Sequence, residues 1–412
     1  MVQGRGGEER FAKQRQPQQD VTDWRFSGHK AHIESIIWEK LVLYLPSLFF
    51  ILVCMVSTAH AHEPGPDPVI DLSAMIDVSG LIEKVSDRQV VFIGETHDRY
   101  QHHLNQLAII KGLHAKHSDL AIGLEFFFQP YQDVLDRYIA GEIEEPDLIR
   151  ESEYFNRWRF DYRLYRPIFQ YAREQGIPMI ALNLESEITQ QVGRNGIDSL
   201  PQALKLRLPA EIDRDNDAYR ERLRSIFDAH PHKDGRSFEN FLDAQLLWDE
   251  GMAQRAAEWM EKNPDSRLVI LAGVGHIMYG DGIPKRLSRR VDASQAIILN
   301  VDAASDLNQD MGDYLILAEK HSLPPAGKLG VLLDTTDSPP SITGFVKDSG
   351  AKEAGVEKQD RLIAIDGQPI KNYADIRIAL MDREVGEQVE LEVERERMLL
   401  GTIAETLQVT LR

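Results

Sequence analysis

Two segments of this 412-residue chain place a histidine three residues after a glycine: Gly94-Glu95-Thr96-His97 and Gly273-Val274-Gly275-His276. Glu125 stands between them in sequence, and Asn183 and Glu185 follow another apolar run. Imidazole and carboxylate together support acid–base chemistry near neutral pH, and they are also metal ligands. His97, His276 and Glu125 could supply three ligands to a divalent ion such as Zn or Mn, with an open water position and Glu95 as base. Without a metal, His97 or His276 could act as general base, oriented by Glu95 or Glu125. Residue type alone leaves both open.

The elements around these residues explain how they could meet. Gln89 to Ile93, Leu120 to Leu124, Ile177 to Leu182, Leu268 to Ala272 and Gln295 to Leu299 are short apolar runs that read as buried strands. Between them lie helix-period stretches, such as Leu104, Leu107, Ile110 and Leu113. Strands that are apolar throughout and alternate with helices predict an α/β fold, with a mostly parallel sheet flanked by helices. In such a sheet the carboxyl ends of the strands share one edge, where ligands bind. His97, His276, Glu95 and Glu125 all fall at such ends. Pro201 to Lys262 reads as a long helical insertion, expected to form a lid or a homodimer surface. His102 and His103 are neighbours on a predicted helix, point about 100° apart, and are expected to be solvated. Gln245 and Asp249, four apart, share a helix face with Leu242, Leu246 and Ala253. They are expected either to orient site residues or to form a surface stripe.

The formal net charge of −19 argues against a nucleic-acid partner, because polyanions repel. Leu41 to Val56 is an apolar run followed by Ala59-His60-Ala61, the pattern of an export leader cleaved after Ala61. Residues 1–61 are therefore expected to be a leader, and the protein to be exported to the periplasm or cell envelope. An uncleaved membrane anchor and a lipoprotein acylated at Cys54 are the alternatives. Cys54 is the only cysteine, so a chain cut after Ala61 has neither a disulfide nor a thiolate-held metal.

The ordered series Ile93 to Asp98, Gly123 to Phe127, Trp158 through Tyr165-Arg166-Pro167, Gln245 through Asp249 to Ala253, and Gly273 to His276 resembles the ChaN-like haem-binding-uptake family of the Tiki superfamily. The resemblance covers roughly Val69 to Glu319, within an expected α/β domain over residues 62–320. It implies a haem cofactor and a role in iron uptake. Other branches of the superfamily are hydrolases that use the paired His and Glu positions with or without a metal. Haem needs an axial His, Tyr or Met and an apolar slot. His97, His276 and Tyr165 are the candidates for that crevice, among the aromatics Tyr100, Phe126, Phe127, Phe128, Trp158 and Tyr162.

Residues 327–412 resemble a bacterial PDZ domain, through Lys328-Leu329-Gly330-Val331, Asp348 to Val356 and Gln359 to Gly367. Asp366-Gly367 is a hairpin turn, and Tyr373 to Met381 predicts a helix beside which an extended peptide can add as a strand. Leu329, Gly330 and Val331 would offer N–H groups to the carboxylate of a partner protein's C-terminal peptide; an internal peptide is the other ligand class. Three functions follow: an envelope haem-binding protein that docks a partner through its PDZ domain, a peptidase or esterase built on His97, Glu125 and His276, or a PDZ scaffold with an inert α/β domain.

Overall fold

The computed structural model describes residues 72–229, 237–302, 310–399 and 401–412. The apolar run, Cys54 and the expected cleavage point at Ala61 lie outside the described residues.

Six strands form the first sheet: β1 (Val90–Glu95), β2 (Leu120–Phe128), β3 (Met179–Asn183), β4 (Arg267–Gly273), β5 (Gln295–Val301) and β6 (Tyr314–Leu317). They are ordered β3-β2-β4-β1-β5-β6 with every pairing parallel. Every residue of β1, β2 and β3 is buried, as expected where helices cover both faces. The apolar runs read from sequence therefore mark the strands to within a few residues, and the expected α/β class holds. β4 comes late in the chain yet lies between β2 and β1, so the three strands that end at the site residues are neighbours.

Helix α1 (Tyr100–Lys116) follows β1 and divides its work along its length. Ile109, Ile110 and Leu113 bury apolar surface against the sheet, whereas His102, His103, Asn105 and Gln106 are buried polar side chains nearer its start. Each of those four has a partner. His102 Nδ1 accepts from Thr96 N–H at 3.0 Å, Asn105 donates to Asn300 Oδ1 at 2.8 Å, and Gln106 donates to the Ile93 carbonyl at 3.3 Å; His103 turns to Glu95. The expectation that His102 and His103 are solvated is thus corrected: both are 1% exposed. Their 100° separation holds, since they serve different partners.

Between β3 and β4 run α2 (Asp217–Asp228) and α3 (Phe238–Lys262), the main helices of the expected insertion. Asn216 and Ser237 cap them by accepting from Tyr219 N–H and Asn240 N–H, each at 3.1 Å. Arg222 of α2 reaches the Gly275 carbonyl at 3.2 Å, which puts α2 beside the short helix that follows β4.

The second sheet contains β7 (Val331–Asp334), β8 (Ser341–Phe345), β9 (Arg361–Ile365), β10 (Gln368–Pro369), β11 (Gln388–Arg397) and β12 (Gly401–Thr410). It is antiparallel, ordered β12-β11-β9-β8-β7, with β10 paired to β9 through the Asp366-Gly367 turn. Helix α4 (Tyr373–Leu380) closes its core, where Ile376 and Leu380 pack with Leu329, Leu362 and Val393. Another face of α4 packs away from that core: Ala374 and Met381 belong to the apolar cluster of the α/β domain.

Candidate functional site

Glu95 and Gly273 are register partners at the ends of β1 and β4, so the two G-x-x-H segments leave the sheet side by side. His97 lies two residues beyond Glu95, and its Nδ1–H donates to Glu95 Oε1 at 2.9 Å. The Tyr165 hydroxyl donates to the same oxygen at 2.9 Å. His103 Nδ1 stands 2.6 Å from Glu95 Oε2, off the ideal hydrogen-bond direction, and 3.1 Å from Gln106 Oε1. Its Nε2–H donates to the His97 carbonyl at 3.1 Å. Glu95 is thus a buried carboxylate surrounded by donors. Burial would raise its pKa, but His103 and His97 together hold it well below the usual carboxylate range.

A second relay centres on His276, in the short helix Val274–Ile277 after β4. Its Nδ1–H donates to Asp249 Oδ1 at 2.6 Å, and its Nε2 lies 3.3 Å from Glu125 Oε1. Tyr219 of α2 donates to Asp249 Oδ2 at 2.6 Å. Burial would lower the pKa of His276, but Glu125 and Asp249 push it up to about 10, so His276 is an imidazolium at neutral pH. Glu125 sits where β2 leaves the ladder: pairing with β4 ends at Leu124, and the register against β3 shifts beyond it. The freed carboxylate accepts the Gly273 N–H at 2.6 Å.

The relays meet at Gly273. A Cβ there would lie 2.9 Å from His97 Cε1 and 3.2 Å from Nε2, so only glycine lets the imidazole rest on the strand end. His97 is the accessible member, with a side chain 28% exposed against 14% for His276. Its Nε2 has no hydrogen-bond partner among the described residues. Trp158 and Phe160 flank the ring at centroid distances of 4.8 and 5.0 Å. Burial would lower the pKa of His97, but the Glu95 hydrogen bond and the Glu125 charge outweigh it and raise it.

All four strand-end residues singled out from sequence, Glu95, His97, Glu125 and His276, are brought together. Tyr165 is also present, but behind Glu95: it is buried, accepts from Trp158 Nε1–H at 3.2 Å, and turns its hydroxyl to the carboxylate. Asp249 is placed as an orienting group, whereas Gln245 makes no comparable contact with the site. His103 and Tyr219 carry no motif, and their roles depend on how the helices pack. Among the described residues, no three His, Cys, Asp or Glu side chains are arranged to hold a metal ion. His276 directs Nδ1 at Asp249 and Nε2 at Glu125.

In the second sheet, Gly330 has φ +78°, and a Cβ there would come within 2.8 Å of the Ser349 backbone. The Leu329 carbonyl is occupied by Ala351 N–H at 3.0 Å and Ser349 Oγ at 3.2 Å. The N–H groups of Leu329 and Gly330 have no partner among the described residues. β7 is an edge strand, so one side of its backbone is free to pair.

The histidine and carboxylate cluster thus lies at the ends of parallel strands, and a second, antiparallel sheet follows it in the chain. A model of the family described as haem-binding uptake, Tiki superfamily, ChaN matches residues 81–287, and a PDZ-domain model matches residues 327–406. The chain belongs to the ChaN haem-binding-uptake family and carries a PDZ domain. RETICULATA-RELATED 5, a chloroplastic protein of Arabidopsis thaliana, is 23% identical over 244 residues, covering 53% of this chain and 32% of that protein. The chain thus spans about a third of that relative's length. Among solved structures, ChaN of Campylobacter jejuni, described with cofacial haem binding, is 16% identical at a TM-score of 0.49, covering 59% of this chain and 92% of that one. The HtrA3 PDZ domain bound to a phage-derived ligand is 14% identical at a TM-score of 0.18, covering 21% of this chain and 86% of that one.

Proposed function

We propose that this chain is an exported cell-envelope protein of the iron-uptake type, which binds haem at the ends of β1 and β4 and docks a partner through its PDZ domain. The observation that carries the reading is the state of His97. Its Nδ1–H is committed to the Glu95 carboxylate, its Nε2 is unpartnered, and its ring is partly exposed between Trp158 and Phe160. A carboxylate on the far nitrogen fixes the tautomer and raises the basicity of the ligating one, as ligand histidines require. The flanking aromatics offer apolar ring surface beside the imidazole, as a porphyrin needs. His97 would hold the iron, Glu95 would orient His97, and Tyr165 and His103 would orient Glu95. Bound haem supplies the iron centre; the protein supplies the ligand and the apolar wall.

His276 has a different task. With its Nδ1 on Asp249 and its Nε2 on Glu125 it would orient the Glu125 carboxylate rather than ligate iron. A partner's C-terminal peptide would add to the free edge of β7, its carboxylate meeting the Leu329 and Gly330 N–H groups.

Haemin titration of the protein starting at His62, followed at the Soret band, tests the reading. Wild type should bind stoichiometrically, and His97→Ala should lose the ligand-field spectrum. No Soret shift in wild type overturns it. A metal-free hydrolase is the second reading, favoured by the Glu95–His97 dyad, in which His97 could act as general base. Turnover of a peptide or ester that is abolished by His97→Ala would establish it.

A further inference from the structure

Residues 154–165 serve two sites at once. Toward the crevice, Trp158 and Phe160 flank His97, and Trp158 donates to Tyr165, which holds Glu95. Toward the PDZ domain, the same segment receives helix α4. Phe155 packs against Tyr373 with ring centroids 6.3 Å apart, and the Arg377 guanidinium lies 4.6 Å from the Phe155 ring centre. Arg377 also pairs with Asp161 at 3.4 Å, and Arg163 donates to the Pro324 carbonyl of the connecting segment at 3.0 Å. Arg150 fixes the start of α4 through the buried Asp375 at 2.7 Å, and Arg166 pairs with Asp382 just past its end.

The docked face of α4 includes the face a PDZ ligand would use. Tyr373, Arg377 and Leu380, at i, i+4 and i+7, run along one stripe of the helix. Leu380 joins Leu329, Val331 and Leu333 in the apolar cluster beneath the free edge of β7. An extended peptide added to β7 would lie along this stripe, and toward Tyr373 and Arg377 it would meet Phe155 and Asp161.

We infer that the two sites are antagonistically coupled: a peptide in the β7–α4 groove displaces Phe155 and Asp161 from α4, loosens the 154–165 wall and weakens the hold on whatever sits at His97. Partner docking would then promote release of the crevice ligand. Linkage makes the effect reciprocal, so an occupied crevice would weaken peptide binding. The inference rests on the proposed ligand site at His97 and PDZ groove at β7.

The test is made on the full chain with Arg377→Ala/Tyr373→Ala, which removes the contacts a peptide would displace. Amide hydrogen exchange of residues 154–165 should become about tenfold faster, within the usual range of coupling between sites. Exchange in β9 and β11 should be unchanged, showing that the PDZ core stays folded. Haemin loss to excess apomyoglobin should accelerate to a similar degree, and Arg377→Lys should restore much of the wild-type rate. Unchanged wall exchange with an intact PDZ core overturns the inference. Should the double variant loosen β9 as well, Asp161→Asn decides from the other side of the contact. If wild type binds no haemin, the proposed ligand fails, while the exchange measurement still decides the coupling.

Discussion

Asp249 and His276 meet at 2.6 Å although one lies inside the long helix α3 and the other follows β4. With Glu125 on the far side, His276 becomes a buried cation between two carboxylates. That arrangement neutralises His276 locally, beside the partly exposed His97.

Stability should depend on this cation at alkaline pH. The folded pKa of His276, about 10, lies above its ordinary value of 6.5. A raised pKa contributes stability that is fully present below about 6.5 and lost as pH rises through about 10. Urea midpoints should therefore fall between pH 6.5 and 10, and His276→Gln should flatten the fall. Equal slopes in wild type and variant would contradict the assignment.

Glu95 should matter more to folding than any surface ion pair. Removing one partner of a buried pair leaves an uncompensated charge, at a cost of about 3–5 kcal/mol. Glu95→Ala strands His103, whose side chain is 1% exposed, and should cost that much in urea unfolding. Glu83→Ala, which breaks the exposed pair with Lys116, should cost about 1 kcal/mol or less.

Gly273→Ala tests the contact between the relays. The added methyl would lie 2.9 Å from His97 Cε1, and the imidazole is the part free to move. The variant should fold, with a stability loss of about 1–3 kcal/mol from overpacking. Its haemin affinity should drop about 10- to 100-fold, the range seen when the support of a ligand histidine is disturbed. Titration beside an unfolding curve separates the two effects.

Gly330→Ala should damage the peptide site selectively. At φ +78° an alanine is strained by about 1–2 kcal/mol, and here its Cβ also meets the Ser349 backbone. Binding of C-terminal peptides should be lost while haemin titration at the other domain is unchanged. Loss of both would mean that the substitution acts on the whole fold.

The sequence by itself determined the strands, because five runs apolar on both faces are recognisable wherever they occur in the chain. It also placed Glu95, His97 and His276 at strand ends, which the parallel α/β pattern required to share an edge; Glu125, read as ending its strand, lies within β2, just past its pairing with β4. Leu329-Gly330-Val331 and the Asp366-Gly367 turn were likewise local signals. What only the tertiary structure decided is which side chains face each other. β4 inserts between β2 and β1, which makes Gly273 the neighbour of both Glu95 and Glu125. His103 is polar on a helix whose pattern suggested a wet face, and it is buried against Glu95, Gln106 and the Tyr165 ring. Asp249 shares its helix face with apolar residues, so its partner, contributed by a short helix 27 residues later, has no local mark. The docking of α4 on residues 154–165, through Phe155 with Tyr373 and Asp161 with Arg377, joins segments more than 200 residues apart. Periodicity reports burial along one element, whereas these contacts depend on the order in which elements are laid beside one another.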